Sequence, residues 1–305
     1  GARPTTPPPK FGGACTLEAP TLIRSLQHTT LSLLLTLFIL GACDTAENSL
    51  RCNGSSALCA QPINETIFIT SHNSMTNEAE DWFAPNHLLS MEEQLALGVR
   101  GFMLDTHSYQ GETYLCHGSC ELGKITLYDA LLKFKTFLQD NPNEVLVFIL
   151  EAYVDGSTTM AIFDEVGMGE RVYAHEGEAT WPTLETLINA GQNILVFADN
   201  GDEDSPATYM PIWQHMFETD WNNKSLDDFS CAMNRGAADN DFFILNHFLT
   251  NPIASEELAT EANTKTVLSS RIQACEDEHN KRPNFLAVDF VSIGDVFKVV
   301  ENLNA

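Results

Sequence analysis

Along residues 66–290, short apolar runs alternate with longer amphipathic stretches, and this alternation limits the fold more than any other feature. The runs lie at 66–70, 101–105, 114–116, 145–151, 193–198, 242–246 and 285–290. Most are continuously apolar, as strands buried on both faces of a parallel sheet must be. Between them, 126–139 carries Leu127, Ala130, Leu131, Phe134, Phe137 and Leu138 at helical spacing and stops at Asn141-Pro142. Stretches 182–190 (ending at Gly191), 255–274 and 294–302 supply further helices. Strands alternating with helices in one domain give an α/β fold, either a barrel or a doubly wound sheet. No GxGxxG or GxxxxGK[ST] loop follows a strand, which disfavours nucleotide-binding versions. Polar residues decide between the two. His72, Asp105 with His107, His117, Glu151, Asp199 with Asn200, Asn246 with His247, and Asp289 all stand at or beside strand ends. An open sheet gathers such residues at its switch point, whereas a barrel gathers them from every strand. The expectation is a single (β/α)8 TIM-type barrel, possible irregularities included.

The first forty or so residues have a different character. Residues 1–20 are rich in Pro, Thr and Gly, and Arg24 then precedes an apolar run over 31–40 followed by Gly41-Ala42-Cys43. A basic residue, a short apolar core and a small-residue stop describe a secretory signal rather than a membrane span. Leu40-Gly41-Ala42-Cys43 also resembles the bacterial lipobox, which implies a lipid on Cys43 and membrane association through that anchor; a plain signal peptide cut nearby is the alternative. The expected organisation is a leader over 1–42, a tether over 43–60 and the barrel over 61–305. The remainder, roughly 260 residues, is close to the ~250 of a typical barrel.

With Cys15 in the leader and Cys43 assigned to lipid, six cysteines remain, an even number that reads as disulfides in an exported chain. Closeness in sequence favours Cys52–Cys59 and Cys116–Cys120, leaving Cys231–Cys275; a zinc site competes, but no paired CxxC supports it. Net charge is −26. No basic footprint exists for nucleic acid, and tight docking on an anionic membrane surface is disfavoured.

Three runs carry the chemistry: Ser71-His72-Asn73-Ser74-Met75, Leu104-Asp105-Thr106-His107 and Leu115-Cys116-His117-Gly118. Two imidazoles with carboxylate and amide oxygens at one mouth suit acid–base chemistry at phosphorus beside a metal ion. These runs, with Gln94-Leu95, Gly98-Val99-Arg100-Gly101, Asn141-Pro142-Asn143-Glu144-Val145 and Glu151, resemble the phosphatidylinositol-specific phospholipase C X-domain superfamily. Trp181-Pro182-Thr183, Asn234-Arg235-Gly236, Asn246-His247-Phe248 and Pro283-Asn284-Phe285-Leu286-Ala287-Val288 extend the likeness over about 60–303, closest to its secreted and anchored branch.

The resemblance implies phosphodiester cleavage of a phospholipid or related substrate. His72 would take a proton from the attacking hydroxyl and His117 would protonate the leaving oxygen. It also implies a cation for the charge that develops on phosphorus: either calcium, or an arginine two residues beyond the Asp of the second strand. Asn73, Asp105 and Glu151 match the calcium pattern with oxygen ligands. His107 stands where the family has Asp or Arg. The expected cofactor is therefore a divalent cation, calcium first, held by Asn73, Asp105, Glu151 and His107, with a softer ion or an impaired site as alternatives. Asp289, on the strand that closes against the first, is placed to orient His72; capping a loop at the mouth is the plainer role.

Other residues weigh less. Asn246 and His247 end a strand without a family role, and His87, His175 and His215 read as surface or packing residues. Arg100 and Lys124 are possible headgroup contacts, and Trp82, Phe83, Trp213 and Trp221 a possible membrane rim, with solvent and core as the plainer assignments. A barrel without catalysis that binds a ligand or partner at the cell envelope is the competing function.

Overall fold

A computed structural model of the protein describes residues 50–177 and 180–305; the leader read over 1–42 and the Cys43 lipid site lie outside the described residues. Eleven strands form one sheet: β1 (Phe68–Ser71), β2 (Gly101–Tyr109), β3 (Glu112–Leu115), β4 (Ile125–Thr126), β5 (Leu146–Ala152), β6 (Ile194–Ala198), β7 (Met210–Pro211), β8 (Met216–Thr219), β9 (Met233–Gly236), β10 (Phe242–Asn246) and β11 (Phe285–Val288). Eight of these run parallel in the neighbour order β7-β6-β5-β2-β1-β11-β10-β8. Followed from β1, the neighbours come in chain order, which is the ring of a TIM-type barrel. No ladder joins β7 to β8 among the described residues, so the ring has one open seam.

The outer layer is formed by α1 (Met91–Leu97), α2 (Leu127–Asp140), α3 (Gly156–Val166), α4 (Leu184–Ala190), the single turn α5 (Ile212–His215), α6 (Glu256–Ala262), α7 (Lys265–His279) and α8 (Val296–Leu303). Their ends follow the sequence signals. Ser90 and Glu93 make a reciprocal capping box on α1, Thr126 caps α2, and Gly191 ends α4 in the left-handed region. Among the described residues no helix is long and apolar enough to cross a membrane.

The structure corrects three sequence expectations. The run 114–116 is not a barrel strand: β3 turns back antiparallel on the end of β2, with His107 opposite Tyr114. The helix expected over 255–274 is two helices, because Thr264 caps α7 by accepting from Val267 N and Asn263 turns its amide onto the Asp289 carbonyl. Strands β7 to β9 are not among the expected ones: β7 is two residues long and β8 carries Glu218 in its middle. The described part of the segment read as a tether is packed onto the barrel, with Cys52, Leu58 and Cys59 buried beside Trp181 and Leu184. The three disulfides pair as expected: Cys52–Cys59, Cys116–Cys120 and Cys231–Cys275.

Side chains alternate between two hydrophobic clusters. Phe68, Val147, Ile149, Leu195, Phe197, Met216, Phe242, Ile244, Phe285 and Ala287 fill the barrel interior. The intervening Ile69, Phe102, Leu104, Phe148, Val196, Phe217, Phe243 and Leu286 pack outward under the helices. Strand period two therefore sets which residues share the interior. Within the outer cluster Phe134 stands edge-on to both Phe102 and Phe148, with ring centroids 4.8 Å apart in each pair. Replacing Phe148, 1% exposed, by Ala should cost about 3–5 kcal/mol of unfolding free energy in a denaturant titration, with the disulfides intact.

Candidate active site

Continuing the interior parity of each strand to its C-terminal end gives His72 (past Thr70), Asp105, Glu151, Asp199, Glu218, Asn246 and Asp289. The top layer of the barrel is thus polar where the layers beneath it are Phe, Ile, Val and Met. A small cavity of about 50 Å³ opens there. His72, Asn73, Asp105 and Glu151 line one side, and Asp199, Trp213, Glu218 and Arg235 the other.

Two histidine–aspartate pairs stand at this mouth. His72 Nδ1 lies 2.9 Å from Asp289 Oδ1, and its ring stacks on Phe248 at 3.7 Å. A carboxylate only accepts, so Nδ1 carries the proton and Nε2 is left as the basic nitrogen. The register that places Ser71 beside Val288 makes these two residues neighbours on the next rung. His117 Nδ1 lies 2.8 Å from Asp105 Oδ2, with its imidazole 55% exposed. Its bond to Asp105 pushes the His117 pKa up, against the opposing effect of burial. Burial, with the charge of Glu151, pushes Asp105 up, although it feels both imidazoles. His117 reaches this position because β2 overshoots the barrel and β3 returns along it, so that Cys116 N donates to the Asp105 carbonyl. The Cys116–Cys120 bond then closes the turn that carries it.

Supporting contacts come from residues with no sequence signal. Asn86 donates to Asp289 Oδ1 at 2.8 Å. Buried His87, its pKa lowered to about 4 by desolvation, donates from Nε2 to the His72 carbonyl at 2.7 Å. Asn73 adopts φ 49°, which Asn tolerates better than most residues. Phe248 in the Asn246-His247-Phe248 run, and Glu218 and Arg235, are likewise part of the mouth.

Among the expected metal ligands, Asn73, Asp105 and Glu151 come together, Asp105 and Glu151 being directly opposed across β2 and β5. His107 stands one rung higher, stacked on Tyr153 at 4.4 Å and absent from the cavity wall. Among the described residues no group of three His, Cys, Asp or Glu side chains is arranged to hold a metal ion. The charge distribution nevertheless fits a cation: burial and the Glu151 charge push both Asp105 and Asp199 up. Glu151 itself holds the Tyr153 hydroxyl at 2.5 Å, and this bond raises that phenol to about 12.

The remaining candidates separate cleanly. Asn246 bonds Glu218 Oε2, while His247 is fully buried, donates to the Ala262 carbonyl and has its pKa lowered to about 3 by burial. Arg100 stands just before β2, at the opposite end of the barrel, and pairs with Glu144 at 2.7 Å. Lys124 lies over the Tyr109 ring. Trp82 is buried, whereas Phe83 and Trp221 are exposed.

The raised His117 pKa has a definite sign. The pair adds most stability below pH ~6.5, the unfolded histidine value, and less as pH rises through the folded one. In chelator, the His117 imidazole should titrate above 6.5 by NMR, and Asp105→Asn should return it to 6.5 or below.

A family model described as PI-PLC X 1 matches residues 58–304. PI-PLC X domain-containing protein 1 of Arthroderma benhamiae is 27% identical over 297 residues, 90% of this chain and 95% of its own length. An uncharacterized secreted protein of the same fungus is 29% identical over 84% of this chain, and a PI-PLC X domain-containing protein of Arabidopsis thaliana 24% identical over 82%; this chain spans 64% of the length of each. The fold matches phosphatidylinositol-specific phospholipase C from Listeria monocytogenes at a TM-score of 0.52 and 14% identity, over 81% of this chain and 94% of that one. The Staphylococcus aureus protein matches at 0.53 and 17% over the same shares. Because the family match runs from before β1 into α8 and takes in both histidine–aspartate pairs, the chain belongs to the PI-PLC X domain family.

Proposed function

We propose that this chain is an exported phosphodiesterase of the phospholipase C type, in which His72 is the general base and His117 the general acid. The observation that carries this reading is the pairing of each imidazole with its own carboxylate at one barrel mouth. His72, held by Asp289 with Nε2 free, takes a proton from a hydroxyl, whose oxygen attacks phosphorus. The bond from phosphorus to the leaving oxygen breaks, and His117, kept protonated by Asp105, gives its Nε2 proton to that oxygen. If the attacking hydroxyl belongs to the substrate, the product is a cyclic phosphate. Water then opens the ring with the two histidines exchanging roles. Asn73, Asp105 and Glu151 are the residues that would hold a divalent cation, calcium first, whose contribution is to stabilise charge on phosphorus. His107, stacked on Tyr153, is left out of that set.

A phospholipid substrate agrees with the surface around the mouth. Phe83, Leu122, Tyr153, Trp221, Met233 and Ile253 are all exposed on segments that follow or flank the C-terminal ends of strands. Such a rim suits a lipid interface. Export is supported by three disulfides and by the relative named as secreted; a lipid on Cys43 would keep the enzyme at the membrane.

Phosphorus NMR of phosphatidylinositol micelles tests the reading. A cyclic inositol phosphate signal should appear with the wild type, vanish with His72→Ala and fall by about 10²–10⁴-fold with Asp289→Asn, as when an orienting acid is lost. No signal from any form, with calcium or with chelator, would refute it. Saturating calcium should raise Tm, by about 2.7 kcal/mol of stabilisation at a hundredfold excess over Kd. Asp105→Asn and Glu151→Gln should each abolish the rise.

A further inference from the structure

The mouth has a second wall, away from the two histidine–aspartate pairs, built by the motif Asn234-Arg235-Gly236. Strand β9 lies antiparallel on β8 with Arg235 directly opposite Glu218, so the two side chains share the interior face. Gly236 makes this approach feasible. Its φ is +86°, and a Cβ there would collide with the Met216 carbonyl. Asn234 donates to Glu218 Oε1 at 3.2 Å, and Arg235 Nε lies 2.5 Å from the same oxygen. Asn246 donates to Oε2 at 3.0 Å. Glu218, 2% exposed at its side chain, is therefore held from three directions and acts as a rigid anchor.

The guanidinium is fixed on one edge by Glu218 and on one face by Trp213, whose ring centroid is 4.3 Å away. Among the described residues its two terminal nitrogens have no hydrogen-bond partner, the side chain is 47% exposed, and the residue lines the mouth cavity. Arg235 is the one Lys or Arg in that lining, which otherwise holds Asp105, Glu151, Asp199 and Glu218. A fixed positive charge favours an anionic phosphate in a lining with four carboxylates. A planar fork with two free donors matches phosphate oxygens in both shape and charge. His72 and Arg235 line this same cavity.

We propose that Arg235 binds a phosphoryl oxygen of the substrate. The assignment deepens the phosphodiesterase reading and rests on it for the identity of the phosphate. Glu218 and Trp213 are positioning residues that present the free edge of the fork.

The test is titration of inorganic phosphate into the full chain in chelator, followed by phosphorus NMR, alongside turnover of phosphatidylinositol. Arg235→Ala should weaken phosphate binding at least tenfold and lower kcat/KM by about 10²–10³-fold, the usual loss of a transition-state donor. Added guanidinium chloride should restore part of the turnover, which a merely structural defect would not allow. Arg235→Lys, which keeps charge but not the fork, should fall between, and serves if the Ala variant does not fold. Phosphate binding unchanged in Arg235→Ala, or absent from the wild type, overturns the assignment. A wild type that binds phosphate through Arg235 yet turns over nothing leaves the assignment standing and removes the phosphodiesterase reading instead.

Discussion

Period two along a barrel strand ties the reactive layer to the hydrophobic core. Phe68, Thr70 and His72 share one face of β1 and its extension, as do Phe285, Ala287 and Asp289 on β11, in a register that pairs Phe68 with Phe285 and Thr70 with Ala287. The apolar pairs lower in the barrel thereby put the imidazole and its carboxylate beside each other on the next rung. A slip of one residue in β1 would turn Phe68 outward, carry His72 with it and leave Asp289 without its partner. Each buried aromatic thus contributes hydrophobic free energy and also specifies where a polar group of the mouth stands.

The two histidine–aspartate pairs are built by different means, and their environments differ accordingly. His72 and Asp289 are 217 residues apart and meet only when the ring forms between β1 and β11. Their hydrogen-bonded pair is largely enclosed, Asn86 and His87 support it from behind, and Asn263 holds the backbone of Asp289 from the break between α6 and α7. On the proposed reading that enclosure serves a base, because one tautomer and one ring orientation are enforced. His117 and Asp105 are 12 residues apart and come from a local hairpin closed by a disulfide. That imidazole is half-exposed and held toward its protonated form, which suits delivery of a proton to a departing group.

Much of this was legible in the sequence because it follows from periodicity and residue type. Apolar runs marked six of the eight barrel strands, and polar residues at their ends marked the mouth; Asp289 could be assigned to His72 because a closed ring puts the last strand beside the first. What escaped notice did so for physical reasons. Strand β8 reads Met-Phe-Glu-Thr, and its buried Glu218 breaks the apolar signal that a strand inside a barrel otherwise gives. His117 follows an apolar run that looks like any barrel strand, since periodicity carries no information on strand direction. Asn86 and His87 sit in a loop, where support for a distant side chain leaves no pattern. His107 matches a ligand position by spacing, but strand rise lifts it a rung above the cavity, onto Tyr153.

A polar layer on an apolar barrel has an electrostatic cost that the rest of the mouth is arranged to limit. Asp105 is matched by His117, Asp289 by His72 and Asn86, Asp199 by the Ala152 amide, and Glu218 by Asn234, Arg235 and Asn246. The excess negative charge that remains lies on the side formed by β1, β2 and β5, where the proposed divalent cation would sit. Arg235 occupies the opposite side, on the strand that pairs with β8 where no ladder to β7 is described, and its guanidinium lies over the Trp213 ring. On the proposed reading a phosphate would enter between these two positive centres. The opening in the sheet and the charge the substrate requires are then met by one hairpin. An intact ladder from β7 to β8 would close the ring, but it would leave the Asn234-Arg235-Gly236 strand no place from which to reach inward.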